Sequence, residues 1–308
     1  MAKKKVEPVE PKIVILGGKG MLGTDLANLC RQRKINAKVF DLPECDITDK
    51  NQLKKAVAGC DAVINCAAYT NVDKAESEPQ AAFRINAEAV GRLGQIAHEQ
   101  KIFVIHISTD FVFDGKGDKP YRETDKPNPI NTYGKSKLAG EQLLVASGCA
   151  NCIIRLEWTY GLAGDNFVKK IIKAANATLR SSVASTLRST RQTGQLKVVD
   201  DQIGSPTATT EAANVILKLL AKKTEGLFHF ANAGFVSRFE MAKFIFEKLD
   251  MPVTVMPCKT GDFKSAAERP LNSRFDCSKI AALLDEPIEV WQKPLENFLT
   301  ELQKKSLV

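Results

Sequence analysis

The chain has 308 residues, of which 44% are hydrophobic and 26% are charged, a composition that excludes an intrinsically disordered protein. Its formal net charge of +8 suits anionic ligands such as phosphates, although a solvated basic surface explains it equally well. No basic patch interleaved with aromatic residues is found, so we expect no nucleic-acid partner.

The first half of the chain alternates short apolar segments with amphipathic ones. Strands are predicted at residues 12–17, 37–41, 61–66, 102–108 and 152–156. Helices are predicted at residues 21–33, 79–99 and 131–146. This alternation indicates an α/β fold whose parallel sheet is covered on both faces. Right-handed crossovers make it a doubly wound Rossmann sheet.

The second half contains further helices and two more strands. Helices are predicted at residues 166–175, 209–221, 238–249 and 291–303, and strands at residues 196–200 and 226–230. Residues 176–195 are polar, rich in Ser, Thr and Arg, and lack a steady period. We predict that they form a mobile insertion near the substrate side. A short helix that docks on a partner subunit is the alternative.

The N-terminal residues and the cysteines indicate in which cellular compartment the protein is expected. The N-terminal lysines are followed by no apolar core, so we expect no secretory signal. No run of about 18 apolar residues occurs, which predicts a cytoplasmic protein without a membrane partner. Cys149 and Cys152 form a C-x-x-C pair, but a structural zinc site needs a second pair or close histidines. We therefore predict no metal site, and buried free thiols.

Three glycines follow the first predicted strand and open the first predicted helix, in the segment GGKGMLG. Gly17 permits a tight turn, Gly20 lets the backbone approach a pyrophosphate, and Gly23 lets helix and strand pack closely. The start of the helix offers free N–H groups and the positive end of its dipole to phosphates. A glycine turn alone is a weak signal, but this strand–turn–helix context predicts a dinucleotide site.

Two acids follow the second predicted strand. Asp41 ends that strand, where a carboxylate reaches the ribose hydroxyls of a dinucleotide; a plain surface acid is the alternative. Asp46 is placed either to meet the adenine amino group or to cap the next helix. Asp41 favours NADH because its charge repels the 2′-phosphate of NADPH, whereas Lys19 favours NADPH. We expect both cofactors to be used, with a modest preference for NADPH.

Tyr133 and Lys137 lie four residues apart on a predicted helix, so both project from one face. A neighbouring ammonium lowers the pKa of a tyrosine toward working pH, where acid catalysis is efficient. The Y-x-x-x-K pattern alone is common. Thr109 adds to it, because it ends an apolar strand where doubly wound folds bind ligands, although a loop turn also explains it. Together these residues predict carbonyl reduction.

Eight segments in order carry a resemblance to a known family. They are ILGGKGMLG, DLPECDITD, NCAAYTNVDKAE, HISTDFVFDGKGDKPYRETD, NPINTYGKSKLAGE, RLEWTYG, DDQIGSPT and RPLNSRFD. Between residue 12 and about residue 302 the chain resembles the short-chain dehydrogenase/reductase superfamily and, more closely, the dTDP-4-dehydrorhamnose reductase family. The resemblance implies that NADPH, with NADH also used, reduces the C4 keto group of a dTDP-4-keto-6-deoxy sugar.

The resemblance also implies roles for individual residues. Tyr133 would donate a proton to the C4 oxygen, Lys137 would hold the nicotinamide ribose and tune Tyr133, and Thr109 would orient the keto oxygen beside Asp110. The implied cofactor-binding residues are Gly17, Lys19, Gly20, Met21, Leu22, Gly23, Asp41, Asp46, Ile47, Ala67, Ala68, Tyr69, Thr70, Asn86, Tyr133 and Lys137. The implied substrate-binding residues are Thr109, Asp110, Trp158, Asn166, Gln202 and Arg269.

Two interleaved domains are implied as well. The dinucleotide-binding domain would comprise residues 1–163 plus 207–233, and the smaller substrate domain residues 164–206 plus 234–308. The resemblance implies that the protein can form a homodimer. Some relatives bind Mg²⁺ at the dimer contact, but the acidic residues that would bind it here cannot be identified from the sequence. The chain departs from the family pattern at Leu156 and Glu157, where small hydroxyl residues are expected, and in the length of residues 176–195.

Two other functions remain open at this point. A nucleotide-sugar epimerase or dehydratase uses the same scaffold, but it usually needs further acids near the Tyr/Lys pair, where only Asp110 is found. A non-catalytic protein like the regulatory subunit of methionine adenosyltransferase keeps part of the same machinery. The DDQIGSPT segment and Trp158 favour the reductase.

Overall fold

The structure of the protein is a computed structural model, which describes residues 12–184 and 194–305. The strands of these residues are β1 (Ile13–Leu16), β2 (Ala37–Phe40), β3 (Ala62–Asn65), β4 (Phe103–Thr109), β5 (Asn151–Leu156), β6 (Thr159–Tyr160), β7 (Gly194–Val199), β8 (Ile203–Gly204), β9 (Thr207–Ala208), β10 (Gly226–Phe230), β11 (Val236–Ser237) and β12 (Val253–Cys258).

The helices connect and cover these strands. They are α1 (Met21–Gln32), α2 (Lys50–Ala56), α3 (Val72–Ser77), α4 (Pro79–Phe83), α5 (Ala89–Gln100), α6 (Thr132–Ala146), α7 (Phe167–Ala184), α8 (Thr209–Ala221), α9 (Arg238–Lys248), α10 (Ser278–Ala281) and α11 (Gln292–Lys304). One π-helical turn, Arg84–Glu88, joins α4 to α5. Among the described helices, none is both long and apolar enough to cross a membrane.

Six strands form one parallel sheet, in the order β10-β5-β4-β3-β1-β2. The central strands β1 and β3 read IVIL and AVIN and are buried throughout, as strands covered on both faces require. From β1 the chain adds β2 on one side and all later strands of this sheet on the other. The predicted doubly wound α/β fold is therefore confirmed, and its strand order reverses between β1 and β3, where such folds bind ligands.

Four hydrophobic cores are found among the described residues, and three of them are large. On one face of the sheet, α1 and α8 bury Leu26 and Ile216 completely. On the other face, α2 and α5 bury Leu53 and Leu93. A third core packs α7, α9 and α11 against the paired strands β7 and β12. The division into two domains at the predicted boundaries stays a prediction.

Helix α7 corrects one expectation. It was expected to end at residue 175, but it continues to Ala184, so residues 176–184 are helical and do not belong to an irregular insertion. Buried side chains at helical spacing, from Val168 to Ala175, anchor its first half, and the Thr178 hydroxyl donates to the Ala174 carbonyl. Strand β7 also begins earlier than predicted, at Gly194. Residues 185–193 of the predicted mobile insertion lie outside the described residues.

Candidate active site

A cavity of about 430 Å³ opens where the strands β1, β3 and β4 end, beside the reversal of strand order. Of the predicted site residues, those that line it are Gly17, Gly20, Met21, Leu22, Gly23, Ala68, Thr70, Thr109, Asp110, Tyr133, Lys137 and Trp158. Those that do not line it are Lys19, Asp41, Asp46, Ile47, Ala67, Tyr69, Asn86, Asn166, Gln202 and Arg269.

The glycine turn has the geometry of a phosphate site. Gly17 adopts φ +79°, a left-handed conformation that side chains rarely adopt. A Cβ on Gly23 would lie 2.1 Å from the Gly17 carbonyl oxygen, whereas a Cβ on Gly20 would meet that oxygen only at 3.4 Å. No side chain caps α1, so its first N–H groups are available to a phosphate. The buried Ser108 hydroxyl also lines the cavity and has no partner among the described residues. These features fit a bound dinucleotide.

The strand end after β2 is organised around Asp41. One carboxylate oxygen accepts the backbone N–H of Lys19 at 2.7 Å, and the other accepts that of Leu42 at 2.7 Å. The Lys19 ammonium turns away from Asp41 and donates to the Leu42 carbonyl at 2.6 Å and to Glu44 at 3.1 Å. Lys19 is therefore paired with Glu44, a residue that the sequence did not single out.

The alternative for Asp46 as a helix cap is wrong. Asp49 caps α2 by accepting the N–H groups of its first turn. Asp46 instead accepts the backbone N–H and the hydroxyl of Thr48, both at 2.8 Å. The Ile47 side chain packs into the core beneath α2, so only its backbone can face a ligand.

Asn86 lies within the π-helical turn and is completely buried. Its side-chain oxygen accepts the Tyr69 N–H at 2.8 Å, and its amide donates to the Tyr69 carbonyl at 3.1 Å and to the Ser136 hydroxyl at 3.0 Å. A Cβ on Gly140 would lie 2.0 Å from the Asn86 carbonyl oxygen, so α6 touches this turn backbone to backbone. Asn86 thus links the loop after β3 to α6 through its side chain, without lining the cavity itself.

Thr109 and Asp110 lie where β4 ends, and both are buried. The Thr109 hydroxyl donates to one oxygen of Asp110 at 2.9 Å, and Ser273 donates to the other at 2.5 Å. Burial raises the pKa of Asp110 above its usual value, although the hydrogen bonds from Ser273 and Thr109 oppose this. Asp110 therefore fixes the orientation of Thr109. Ser273, in the RPLNSRFD segment, was not predicted.

Tyr133 corrects an expectation about proton transfer. Its ring packs edge-to-face on Phe111 at 5.5 Å, and its hydroxyl contacts Thr109. The pKa of Tyr133 was expected to lie below that of a free tyrosine. Burial instead raises it to about 12, and the carboxylate of Asp110 adds to the rise. The phenol therefore keeps its proton at neutral pH when no ligand is bound.

Lys137 is buried and turned toward β4. Its ammonium donates to the Ile107 carbonyl at 2.6 Å and lies 3.5 Å from His106 Nε2. The His106 Nδ1 in turn faces the Asn65 side-chain amide at 3.2 Å. Burial lowers the pKa of Lys137 to about 8, although the charge of Glu141 opposes this. The ammonium is held by β4 rather than by Tyr133, which explains why Tyr133 gains no acidity from it here.

Trp158 has an unusual backbone. Its φ of +44° lies in the left-handed region, which is strained for a bulky residue and is found at functional sites. A Cβ on Gly204 would come within 2.7 Å of Cε2 and 3.0 Å of Cδ2, the atoms that join the two rings of the indole, and the Arg238 guanidinium lies 3.4 Å from the ring centre. Two groups that approach the ring this closely must cover opposite faces. The indole therefore offers mainly its edge to the cavity.

Three predicted substrate residues are used elsewhere. The Asn166 amide donates to the Gly161 carbonyl at 2.8 Å, and its oxygen accepts an N–H from the first turn of α7. Gln202 donates to the Thr260 hydroxyl at 3.1 Å. Arg269 forms a two-pronged pair with Asp73, at 3.1 and 2.6 Å. The structure does not bring these side chains to the cavity.

Glu157, one of the two departures from the family pattern, does not line the cavity. Its two oxygens accept the backbone N–H of Ser205 at 2.7 Å and of Phe275 at 3.3 Å. Burial, together with the charge of Asp110, raises the pKa of Glu157 well above its usual value. The carboxyl group therefore ties the segments at Ser205 and Phe275 to the end of β5. The other departure, Leu156, does line the cavity.

One of the cysteines, Cys66, lines the cavity. All eight are free, and both members of the C-x-x-C pair, Cys149 and Cys152, are buried. In the part of the chain that the structure describes, no three His, Cys, Asp or Glu side chains are grouped to hold a metal ion.

Parallel strands that end at a glycine turn, with a threonine, a tyrosine and a lysine converging beside it, define a nicotinamide-dependent oxidoreductase of the short-chain dehydrogenase/reductase class. Residues 11–304 match the family described as RmlD substrate binding domain. The chain belongs to the dTDP-4-dehydrorhamnose reductase family.

Individual relatives support this assignment. The dTDP-4-dehydrorhamnose reductase of Mycolicibacterium smegmatis is 36% identical over 299 residues, covering 96% of this chain and 87% of the relative. That of Aggregatibacter actinomycetemcomitans is 33% identical, covering 93% and 97%. The structure of the Bacillus anthracis enzyme in complex with NADP superposes with a TM-score of 0.86 at 34% identity, covering 95% of this chain and all of the other.

Proposed function

We propose that the protein reduces the C4 keto group of dTDP-4-dehydrorhamnose to give dTDP-L-rhamnose, with NADPH as the preferred reductant and NADH as a second one. The observation that carries this proposal is that Thr109, Tyr133 and Lys137 line the same cavity as the glycine turn. A carbonyl substrate and a dinucleotide can therefore meet there. The names of the relatives support the substrate, and the bound NADP of the Bacillus anthracis relative supports the cofactor.

Tyr133 would be the general acid. Because its pKa is raised to about 12, the phenol is protonated at neutral pH and donates only when the carbonyl oxygen becomes basic. The bound nicotinamide supplies the hydride. Thr109 contacts the Tyr133 hydroxyl, so both hydroxyls can approach the same carbonyl oxygen. Asp110 would keep Thr109 in position for that contact.

Lys137 would act on the charge that remains after proton transfer. Its ammonium, held by the Ile107 carbonyl at 2.6 Å without a ligand, would stabilise the phenolate of Tyr133 only after turning from that carbonyl toward the bound nicotinamide ribose. Its ammonium would also donate to the nicotinamide ribose hydroxyls. Glu141, one turn further along α6, keeps Lys137 charged and is itself fixed by Arg155 at 2.7 Å.

The remaining ligand assignments belong to the same proposal. Lys19 and Asp41 would bind the adenosine ribose and its 2′ substituent, and the segment around Asp46 would lie near the adenine. Asn86 would act by shaping the cofactor loop. A nucleotide-sugar partner, a homodimer and a cytoplasmic location complete the proposal, and no Mg²⁺ ligand is proposed.

The test is an assay of the purified protein at 340 nm with dTDP-4-dehydrorhamnose. We expect one NADPH to be oxidised for each keto sugar reduced. Conversion of the sugar without net NADPH oxidation would identify an epimerase or dehydratase. Absence of turnover, together with specific binding to a methionine adenosyltransferase, would identify a regulatory subunit.

A further inference from the structure

Arg238 opens α9 and brings a guanidinium group into the cavity. The group lies 3.4 Å from the ring centre of Trp158 and 4.5 Å from that of Phe167, so two aromatic side chains hold it. Burial lowers its pKa to about 9, which leaves it charged at neutral pH. Its five N–H donors find no hydrogen-bond acceptor among the described residues.

The backbone around Arg238 is fixed. Strand β11, directly before it, pairs with β8, so that Val236 lies opposite Gly204. The Arg238 N–H donates to the Gln202 carbonyl at 3.2 Å, and Ser237 and Glu240 form a capping box at the start of α9. The guanidinium is thus presented from a rigid support, which keeps the entropy cost of ligand binding low.

The other cation that lines the cavity and the arginine expected on the substrate side already have partners among the described residues. Lys137, the second cation that lines it, donates to the Ile107 carbonyl. Arg269, the arginine expected on the substrate side, is paired with Asp73. The carboxyl groups that face Arg238, those of Asp110 and Glu157, have hydrogen-bond donors of their own. Of the two described cations that line the cavity, Arg238 is therefore the one whose side-chain donors have no acceptor among the described residues.

We propose that Arg238 binds the diphosphate of the nucleotide-sugar substrate, an inference that rests on the proposed function. A planar guanidinium matches phosphate oxygens with two parallel hydrogen bonds. The glycine turn offers a separate anion site for the diphosphate of the dinucleotide, so the second diphosphate needs its own partner. Because Gly204 and Arg238 cover the faces of Trp158, the substrate meets the guanidinium rather than the indole face.

The test measures equilibrium binding of dTDP, thymidine and NADPH by calorimetry, on the parent protein and on Arg238→Gln. A lost charge-assisted hydrogen-bond pair corresponds to about tenfold or more in the dissociation constant. We expect dTDP to lose that much, whereas thymidine, which lacks the diphosphate, and NADPH change less than twofold. Arg238→Lys keeps the positive charge but not the planar guanidinium, so its dissociation constant for dTDP should lie between those of the parent and Arg238→Gln. Arg33→Gln, on the exposed side of the fold, should bind all three as the parent does.

Each other outcome overturns the proposal. Unchanged dTDP binding in both Arg238 variants would show that the guanidinium only balances the carboxyl groups. Equal losses for dTDP and thymidine would assign Arg238 to shaping the nucleoside pocket, and a loss confined to NADPH would assign it to the dinucleotide. If Arg238→Gln does not fold, Arg238→Lys decides. A parent protein that binds NADPH but not dTDP would refute the proposed function itself.

Discussion

The two sides of the cavity are built differently. On the cofactor side, the turn at Gly17 and the start of α1 are set by backbone conformation within one short segment. On the substrate side, Trp158 is held between Gly204 and Arg238, which come from segments far apart in the sequence. A site formed by the backbone of one short segment can be recognised as a sequence motif. A site formed by side chains from distant segments cannot.

The largest effect should come from the residue where the two sides meet. Tyr133→Phe removes the proposed proton donor and keeps the ring that packs on Phe111. We expect kcat to fall by about 10²–10⁴-fold, because general acid catalysis contributes that much, while the dissociation constant for NADPH stays within twofold. Steady-state kinetics and cofactor titration measure both. A variant that keeps most of its turnover would show that another group donates the proton.

A smaller but distinct effect should follow from closing the backbone contact on the cofactor side. In Gly23→Ala the new Cβ would lie 2.1 Å from the Gly17 carbonyl oxygen, so the turn must shift. Overpacking of this kind costs about 1–3 kcal/mol, and we expect NADPH to bind about tenfold or more weakly.

The matched control for that change is Gly261→Ala, where a Cβ has no described neighbour within 4 Å. Thermal unfolding and NADPH titration of both variants compare them. Normal NADPH binding by Gly23→Ala would mean that close packing does not shape the cofactor side.

The pH profile should separate the two titrating groups. Burial lowers the pKa of Lys137 to about 8 and raises that of Tyr133 to about 12. If the ammonium is required, kcat/KM falls about tenfold per pH unit as pH rises above about 8, because Lys137 then loses its proton. If only Tyr133 matters, the rate stays flat to far higher pH. Unfolding temperatures over the same range serve as the control for denaturation.

The smallest effect concerns the choice of cofactor. The Lys19 side chain is 61% exposed, so water and salt screen its charge, and we expect its contribution to be less than tenfold in affinity. Lys19→Ala should raise KM for NADPH more than for NADH, and Asp41→Ala should do the reverse. Comparing kcat/KM for both cofactors measures this. A parent preference beyond a hundredfold would mean that other residues read the ribose.

Most of the parallel sheet could be predicted because its strands are continuous apolar segments and its helices are amphipathic. Helix α8 begins and ends at the predicted residues. The short helix α2 and strand β12 were missed, since α2 has only seven residues and β12 is largely exposed on one side. The end of α7 was placed too early because its Ser and Thr residues look like a loop, although the helix is anchored by the third core.

The candidate site divides in the same way. Gly17 and Lys137 could be found because motif spacing places them on one turn and one helix face. The neighbours of Lys137 and Trp158 could not be found from the sequence. His106, beside Lys137, looks like an ordinary core residue, and Arg238, beside Trp158, looks like any polar residue at the start of a helix. Their roles depend on which strands and loops meet at the cavity, which local sequence does not encode.

The π-helical turn at Arg84–Glu88 has a consequence for changes in chain length. A π-helical turn closes i→i+5 bonds and therefore holds one residue more than an α-helical turn, so deleting one residue would return this turn to α-helical geometry and move Asn86 from the position that faces α6. Its bonds to Tyr69 and Ser136 would then break together, and the Asn86 carbonyl would no longer lie against Gly140. Substitutions on the outer face of this turn leave the position of Asn86 relative to α6 unchanged. The helix therefore tolerates new side chains there far better than a single deletion.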